Sequence, residues 1–205
     1  LATFMENRPQ AGIGGVQLIF PDGRAQNSID VIPTLFNQFI NRALLKLLFP
    51  RAYPSKRSGF KEPVRVPSVI GACMLLRRSM LDAIGDLDEG FFLYLEETDL
   101  CRRATEHGWE VWHLPQLTLI HHQGVTARKF DIRRTLEFQR SMTRFFRKHQ
   151  GPAAAGFFAV LSIVKAAVEV VGNLPLAFRP KPLNRMQRSA AVLIWTLLGM
   201  PEGRG

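Results

Sequence analysis

Net positive charge is confined to one end of this 205-residue sequence. Residues 1–127 hold 13 basic and 13 acidic side chains and are neutral as a set. Residues 128–205 hold 14 basic and 4 acidic side chains and carry the whole formal charge of +10. This change divides the chain into a neutral part and a basic part. The basic surplus predicts an acidic partner, such as anionic lipid, nucleic acid or a phosphorylated ligand.

The composition excludes several classes of protein. With 46% hydrophobic and 21% charged residues, the chain can bury a core and is neither disordered nor collagen-like. Two cysteines are too few for a disulfide framework and favour a reducing compartment. The sequence starts at Leu1 in what resembles the last turns of a helix, so we expect a fragment of a longer protein.

The neutral part alternates short predicted strands and helices, which is typical of an α/β fold. Residues 69–76 form a nearly continuous apolar run, which predicts a strand covered on both faces. Residues 50–63 are predicted to be a surface loop. The remaining predictions are strands at 12–20, 109–113 and 116–122, the last two hinged at Pro115, a turn at 21–23, and helices at 33–48, 77–85 and 96–107.

Three carboxylates fall within four positions at the start of the helix predicted at 96–107: Glu96, Glu97 and Asp99. The helix dipole stabilises their ionised forms, and an ionised carboxylate can take a proton from an attacking hydroxyl. Glu96 and Asp99 share a helix face, whereas Glu97 is offset by about 100° and so has a different role. Asp99 and Arg103 are spaced to form an ion pair. The alternative is a solvated helix with an acidic first turn and no chemical role.

Two adjacent histidines, His121 and His122, end the last predicted strand. Neighbouring side chains of a strand point to opposite faces, so this pair is not a dedicated zinc site. One of them is able to complete a site built mainly by other residues. The alternative is an ordinary hydrogen-bonding histidine.

The acidic cluster belongs to a longer series of short segments in a fixed order. These are GACMLLRR at 71–78, IGDLDEGFF at 84–92, EETDLCRR at 96–103, Gly108-Trp109, then His121 and Gly124, preceded by residues 9–15 and by PDGRAQNS at 21–28. Together they resemble the C-terminal half of family 2 glycosyltransferases, in the rhamnosyltransferase-like branch. The resemblance runs from about residue 1 to residue 150.

This resemblance implies a GT-A fold and an inverting transfer from a nucleotide-sugar donor. It makes Glu97 the base that deprotonates the acceptor hydroxyl, and His121 a ligand of Mn²⁺ or Mg²⁺. It also implies two further groups of residues. Gly71 and Ala72 would contact the donor sugar. Residues that would contact the acceptor or support those that do are Asp88, Glu89, Glu96, Asp99 and Arg103.

The sequence departs from the family at one important place. The DxD motif that binds metal and diphosphate has no counterpart, and neither does the nucleotide-binding half that precedes it. We therefore expect a divalent cation only where the missing motif is present. We also expect these 205 residues alone to bind nucleotide sugar poorly and to transfer nothing.

The basic part predicts membrane association. Residues 132–149 read as a basic amphipathic helix that either packs on the catalytic domain or lies on anionic lipid. Residues 152–178 are mostly apolar, but the uninterrupted run at 153–164 has only 12 residues. A spanning helix needs about 20 residues, so we favour an interfacial or re-entrant helix. Residues 179–182 read as a turn and 189–200 as a second short apolar helix, so an oligomeric helical hairpin is the rival interpretation.

The sequence therefore predicts the C-terminal half of a GT-A mixed sheet in residues 1–127, an amphipathic helix in 128–150, and a membrane-associating helical tail in 151–205. The expected function is transfer of a sugar to a lipid-linked or cell-envelope glycan at the cytoplasmic face of the cell membrane. Nucleic acid is not an expected partner, because no recognition fold accompanies the charge. The alternative is a non-catalytic, membrane-associated interaction module.

Overall fold

The computed structural model describes residues 1–49, 60–122 and 131–199. These residues fall into two compact units, one made of residues 1–49, 60–91 and 95–122, the other of residues 92–94 and 131–199. In the first unit the elements are α1 (Ala2–Glu6), β1 (Ala11–Ile19), β2 (Ile29–Asp30), α2 (Leu35–Phe39), α3 (Arg42–Leu48), β3 (Val64–Arg65), β4 (Ser68–Val69), β5 (Met74–Leu76), α4 (Arg78–Ile84), α5 (Glu96–Glu106) and β6 (Glu110–Ile120). The second unit contains α6 (Asp131–Gln150), α7 (Pro152–Asn173), a 3-10 turn (Leu174–Leu176) and α8 (Pro180–Leu197).

The first unit is built around a four-stranded mixed sheet with the order β3-β6-β1-β5. Strand β1 pairs in parallel with β6 and antiparallel with β5, and β6 pairs antiparallel with β3. A separate antiparallel pair joins β2 to β4. The expected mixed α/β class is confirmed by this arrangement.

Strand β1 is buried along nearly its whole length, and its glycines allow other elements to approach the backbone. A Cβ atom at Gly12 would lie 2.6 Å from Sδ of Met80, and one at Gly15 would lie 2.8 Å from Cβ of Val69. These glycines therefore serve close packing of the core.

The apolar run at 69–76 does not form the single strand that the sequence predicts. Strand β4 pairs with β2 through Val69, whereas β5 pairs with β1 in the other sheet, so the chain has to turn between them. Gly71 and Ala72 lie in this turn and are exposed. The prediction failed because periodicity does not distinguish one covered strand from two short apolar ones.

Two further boundaries differ from the prediction. The strands predicted at 109–113 and 116–122 form the single strand β6 (Glu110–Ile120), because a register shift opposite Val16 and Gln17 accommodates Pro115 within it. The predicted helix at 33–48 is interrupted at Ile40, whose backbone is extended, and Asn41 caps a new helix. Most of the loop predicted at 50–63 lies outside the described residues.

The second unit is a set of three helices that pack on one another. Helices α6 and α7 are linked by Gly151, whose φ of +88° favours glycine. Helix α7 has 22 residues, which is longer than the uninterrupted apolar run at 153–164, because the helix continues through Lys165 and Glu169. The segment Pro152–Leu176 is long and apolar enough to cross a membrane, judged on length and composition alone. Helix α8 starts at Pro180, so the predicted turn at 179–182 is instead its first turn, where proline is tolerated.

Candidate functional site

Helix α5 begins in a strained piece of backbone. Tyr94 and Leu95 both have φ of +69°, a left-handed conformation that bulky L-residues rarely adopt. Such residues cost about 1–3 kcal/mol each and are concentrated at functional sites. Glu96 and Glu97 follow at once in the first turn of the helix. The strain therefore marks the acidic cluster as a candidate site.

The turn between β4 and β5 lies against the side chain of Glu97. A Cβ atom at Gly71 would lie 3.4 Å from Cβ and 3.7 Å from Cδ of Glu97, so this turn packs closely against the carboxyl-bearing side chain. Within the described residues Oε2 of Glu97 is buried without a hydrogen-bond partner. A carboxylate oxygen is thus held beside an exposed glycine turn and left without a donor.

The electrostatics of the cluster favour the protonated form of Glu97. Burial raises the pKa of Glu97 from 4.5 to about 7, and the charges of Glu96 and Asp30 act in the same direction. Backbone hydrogen bonds from Glu97 and Gly71 partly oppose this rise in pKa. A carboxyl group with a pKa near 7 is well matched to act as a general base at neutral pH. Asp30 lies outside the segments that carry the family resemblance, so sequence reasoning did not identify its part in the cluster.

Removing the neighbouring charge is expected to lower the pKa of Glu97. In Glu96→Gln the repulsion that disfavours ionised Glu97 is gone, so Glu97 loses its proton at lower pH. An NMR titration of ¹³C-labelled Glu97 measures this directly. Glu106→Gln, at the far end of α5, is the control and leaves the midpoint unchanged. An unchanged midpoint in Glu96→Gln would contradict the electrostatic account.

Asp99 and Arg103 form a buried ion pair rather than an open binding site. Asp99 is fully buried, and Nε of Arg103 donates to its Oδ2 at 2.8 Å. The remaining donors of Arg103 reach the carbonyl oxygens of Ile84 and Asp86, each at 2.6 Å. The pair therefore ties α5 to the end of α4 and to the loop that follows, so support of this loop fits the geometry better than direct contact with an acceptor.

The loop at 86–91 contains Asp88 and Glu89, the remaining acids that the resemblance places near the acceptor. Oδ1 of Asp88 accepts a hydrogen bond from the Gly90 backbone at 2.9 Å, which stabilises a tight turn. Glu89 is exposed. Asp88 thus shapes the loop, and Glu89 is open to solvent.

His121 has the chemistry of a metal ligand, but it lacks companions in the described part of the chain. Its Nδ1 lies 3.0 Å from Oε1 of Gln26, and the amide nitrogen of Gln26 donates to backbone carbonyls instead. This network places the proton on Nδ1 and leaves the Nε2 lone pair for a cation. No group of three His, Cys, Asp or Glu side chains in residues 1–49, 60–122 and 131–199 is arranged to hold a metal. His121 therefore fits one position of a site completed by other donors.

His113 is a buried ionisable residue that sequence reasoning did not single out. It is 2% exposed on β6, its ring lies edge-on to Phe60, and burial lowers its pKa to about 4. Its Nδ1 has no hydrogen-bond partner among the described residues. A neutral imidazole in the sheet is consistent with packing rather than catalysis.

Comparison with known proteins identifies relatives, two of which are named as sugar transferases. The chain is 33% identical over 123 residues to the N-acetylglucosaminyl-diphospho-decaprenol L-rhamnosyltransferase of Mycobacterium tuberculosis, a match that covers 57% of this chain and 39% of that protein. It is 31% identical over 122 residues to the O-antigen biosynthesis protein RfbC of Myxococcus xanthus, covering 59% of this chain and 9% of that protein. It is 32% identical over 80 residues to the low-salt glycan biosynthesis hexosyltransferase Agl10 of Haloferax volcanii, covering 39% of this chain and 25% of that protein.

These matches confirm the resemblance to glycosyltransferases of the rhamnosyl and hexosyl type. The chain spans about two fifths of the length of the mycobacterial relative, and less of the other two. No protein-family profile matches the chain. No solved structure matches it either.

Proposed function

We propose that this chain is the acceptor-side part of an inverting glycosyltransferase with a GT-A fold, and that Glu97 is its general base. The observation that carries the proposal is the state of Glu97: a pKa raised to about 7, with one carboxyl oxygen left without a partner beside the Gly71 turn. The relatives that are named as rhamnosyl- and hexosyltransferases support the same reaction class.

In this mechanism the ionised form of Glu97 accepts the proton of the acceptor hydroxyl. The acceptor oxygen forms a bond to the anomeric carbon of the donor sugar as the bond from that carbon to the nucleoside diphosphate breaks. Attack occurs opposite the leaving group, so the configuration at the anomeric carbon inverts. Exposed Gly71 and Ala72 present backbone without bulky side chains, which lets the donor sugar come close to this turn.

The first 127 residues have no net charge, so neutralising a diphosphate needs charge from elsewhere. A divalent cation such as Mn²⁺ or Mg²⁺ supplies that charge when bound and stabilises the leaving group. His121 offers its Nε2 as one ligand, held in orientation by Gln26. The other ligands would come from donors beyond the described residues or from the diphosphate itself.

The proposed acceptor is a lipid-linked or cell-envelope glycan at the cytoplasmic face of the membrane. The name of the mycobacterial relative contains a diphospho-decaprenol acceptor, which is a polyprenyl lipid. The apolar helix α7 and the surplus of basic residues in 128–205 support a position at a membrane.

Sugar transfer is testable on the protein expressed from its complete open reading frame. Membranes that contain it are incubated with radiolabelled nucleotide sugars, and label is expected to appear in the lipid extract with an inverted anomeric configuration by NMR. Release of free sugar alone, or retention of configuration, would contradict the proposal. Acceptor binding without any transfer would instead support the non-catalytic interaction module.

A further inference from the structure

An apolar stripe runs along one face of α7. Five exposed side chains follow one another at intervals of three or four residues, which places them on a single face of the helix. They are Phe157, Val160, Val164, Val168 and Val171, between 54% and 69% exposed. The stripe is about 21 Å long at 1.5 Å per residue. Phe178, which is 77% exposed, lies beyond it in the chain.

The opposite face of α7 is occupied by its neighbours in the helical unit. Phe158 stacks on Phe146 of α6 with ring centroids 4.9 Å apart, and Ser162 hydrogen-bonds to Gln139 of α6. These contacts show that α6 and α7 run antiparallel, with the middle of α7 beside Gln139. Helix α7 also packs against α8, where Ser189 donates to Glu169 at 2.6 Å.

The antiparallel packing of α6 on α7 argues against a membrane-spanning orientation of α7. If α7 crossed a bilayer with Ser162 at the midplane, α6 would lie in the hydrocarbon beside it. The exposed Arg133 and Arg144 would then be about 9 Å and 7.5 Å from the midplane along α6, within a hydrocarbon half-thickness of about 15 Å. Charged side chains near the bilayer centre are strongly disfavoured. Helix α7 is thus long enough to span but is packed against a helix that is too charged to accompany it.

We propose that α7 lies in the plane of an anionic membrane, with the apolar stripe inserted at the boundary between head groups and acyl chains. Basic side chains border the stripe: Lys165 is exposed between Val164 and Val168, while Arg179 and Lys181 are exposed just after Phe178. Such residues bind lipid phosphates while neighbouring apolar side chains insert. Charge complementarity therefore selects an anionic bilayer as the occupant. This proposal does not depend on sugar transfer.

The depth of three labels distinguishes the possible orientations. The substitutions Phe157→Cys, Val164→Cys and Val171→Cys are introduced one at a time into a protein that carries Cys73→Ser and Cys101→Ala. Each new cysteine is spin-labelled, and the protein is bound to vesicles of phosphatidylcholine and phosphatidylglycerol. An in-plane helix places all three labels at the same depth. A spanning helix with Ser162 at the midplane places the labels at 157, 164 and 171 about 7.5, 3 and 13.5 Å from the midplane, so their depths differ. That second pattern would overturn the proposal.

Vesicle flotation tests whether the apolar stripe binds an anionic membrane. We expect the vesicle-bound fraction to fall at least tenfold in the double variant Val164→Glu, Val168→Glu, and several-fold without phosphatidylglycerol or in 0.5 M salt. Leu47→Glu makes the same kind of change at a leucine that is 77% exposed on α3, and binding is expected to stay unchanged. Circular dichroism verifies that the variants keep their helices. Absence of vesicle binding would overturn the proposal. Dimers that form with rising protein concentration and are lost in the double variant would also overturn it, because they would show that the stripe binds a second copy of the chain.

Discussion

Replacing Glu97 by glutamine is expected to reduce sugar transfer by 10²–10⁴-fold while making the protein more stable at alkaline pH. The loss follows from the proposed role, because glutamine accepts no proton and general-base catalysis contributes roughly that factor. The gain follows from burial, which disfavours the charge of Glu97. Transfer is measured on membranes that contain the protein expressed from its complete open reading frame.

The gain in stability has a definite pH dependence. The pKa of Glu97 is 4.5 in its ordinary state and about 7 in the folded protein. Below 4.5 the group is protonated in both states and has no effect; as the pH rises to 7, ionisation favours the unfolded chain. The penalty at pH 8 is on the order of 3 kcal/mol, and Glu97→Gln removes it. Urea unfolding at pH 4 and pH 8 should therefore show a gain only at the higher pH.

The matched control is Glu106→Gln on the same helix. Glu106 is exposed and pairs with Arg102, so its loss is expected to change stability by less than about 1 kcal/mol and to leave transfer intact. Full transfer activity in Glu97→Gln would exclude Glu97 as the base. If Glu97→Gln and the unaltered protein have the same free energy of unfolding at pH 8, ionised Glu97 does not destabilise the fold.

Arg103→Leu is expected to destabilise the first unit by about 3–5 kcal/mol, because it leaves the carboxylate of Asp99 buried without its cation. The carbonyl groups of Ile84 and Asp86 lose a donor in the same change. Urea unfolding near neutral pH measures the effect. Replacing both members of the pair by leucine should recover part of the loss, since no charge then stays buried.

A surface pair provides a close control for this prediction. Arg78 and Asp82 are four residues apart and 2.8 Å from each other, as Arg103 and Asp99 are, but their side chains are 79% and 55% exposed. Arg78→Leu is expected to cost less than about 1 kcal/mol. Equal effects of the two substitutions would show that burial of the pair is unimportant.

Local signals in the sequence were sufficient for several elements of the fold. Helix α5 follows from its acidic first turn and from Gly108, and the end of α4 follows from Gly85, because acidic residues mark helix starts and glycine marks helix ends. The division at 69–76 was not predictable, since it depends on which sheet each short strand joins. The break at Ile40 was missed because the apolar spacing continues through it.

The candidate site was predictable in part of its residues but not in its electrostatics. The position of Glu97 within its motif makes it the candidate base, and its spacing from Glu96 separates their predicted roles. The raised pKa of Glu97 depends on burial and on the charges of Glu96 and Asp30, and neither the burial nor the proximity of Asp30, which is distant along the chain, follows from the local sequence. The apolar run at 153–164 underestimates the extent of α7, because a surface helix readily continues through charged residues such as Lys165 and Glu169.

The glycines of β1 have a consequence for natural variation. Gly15 leaves space that is filled by Val69, and Gly12 leaves space that is filled by Met80. Each position is half of a size-matched pair contributed by separate elements. A side chain at Gly15 would meet both Cβ and Cγ1 of Val69 at 2.8 Å, so it requires glycine at position 69 or a shift of the backbone, whereas a side chain at Gly12 requires a shorter or displaced side chain at Met80. In related sequences we expect the side chains at the two positions of a pair to change volume in opposite directions. Such correlated changes would indicate that the packing of the sheet is kept even where the surface residues differ.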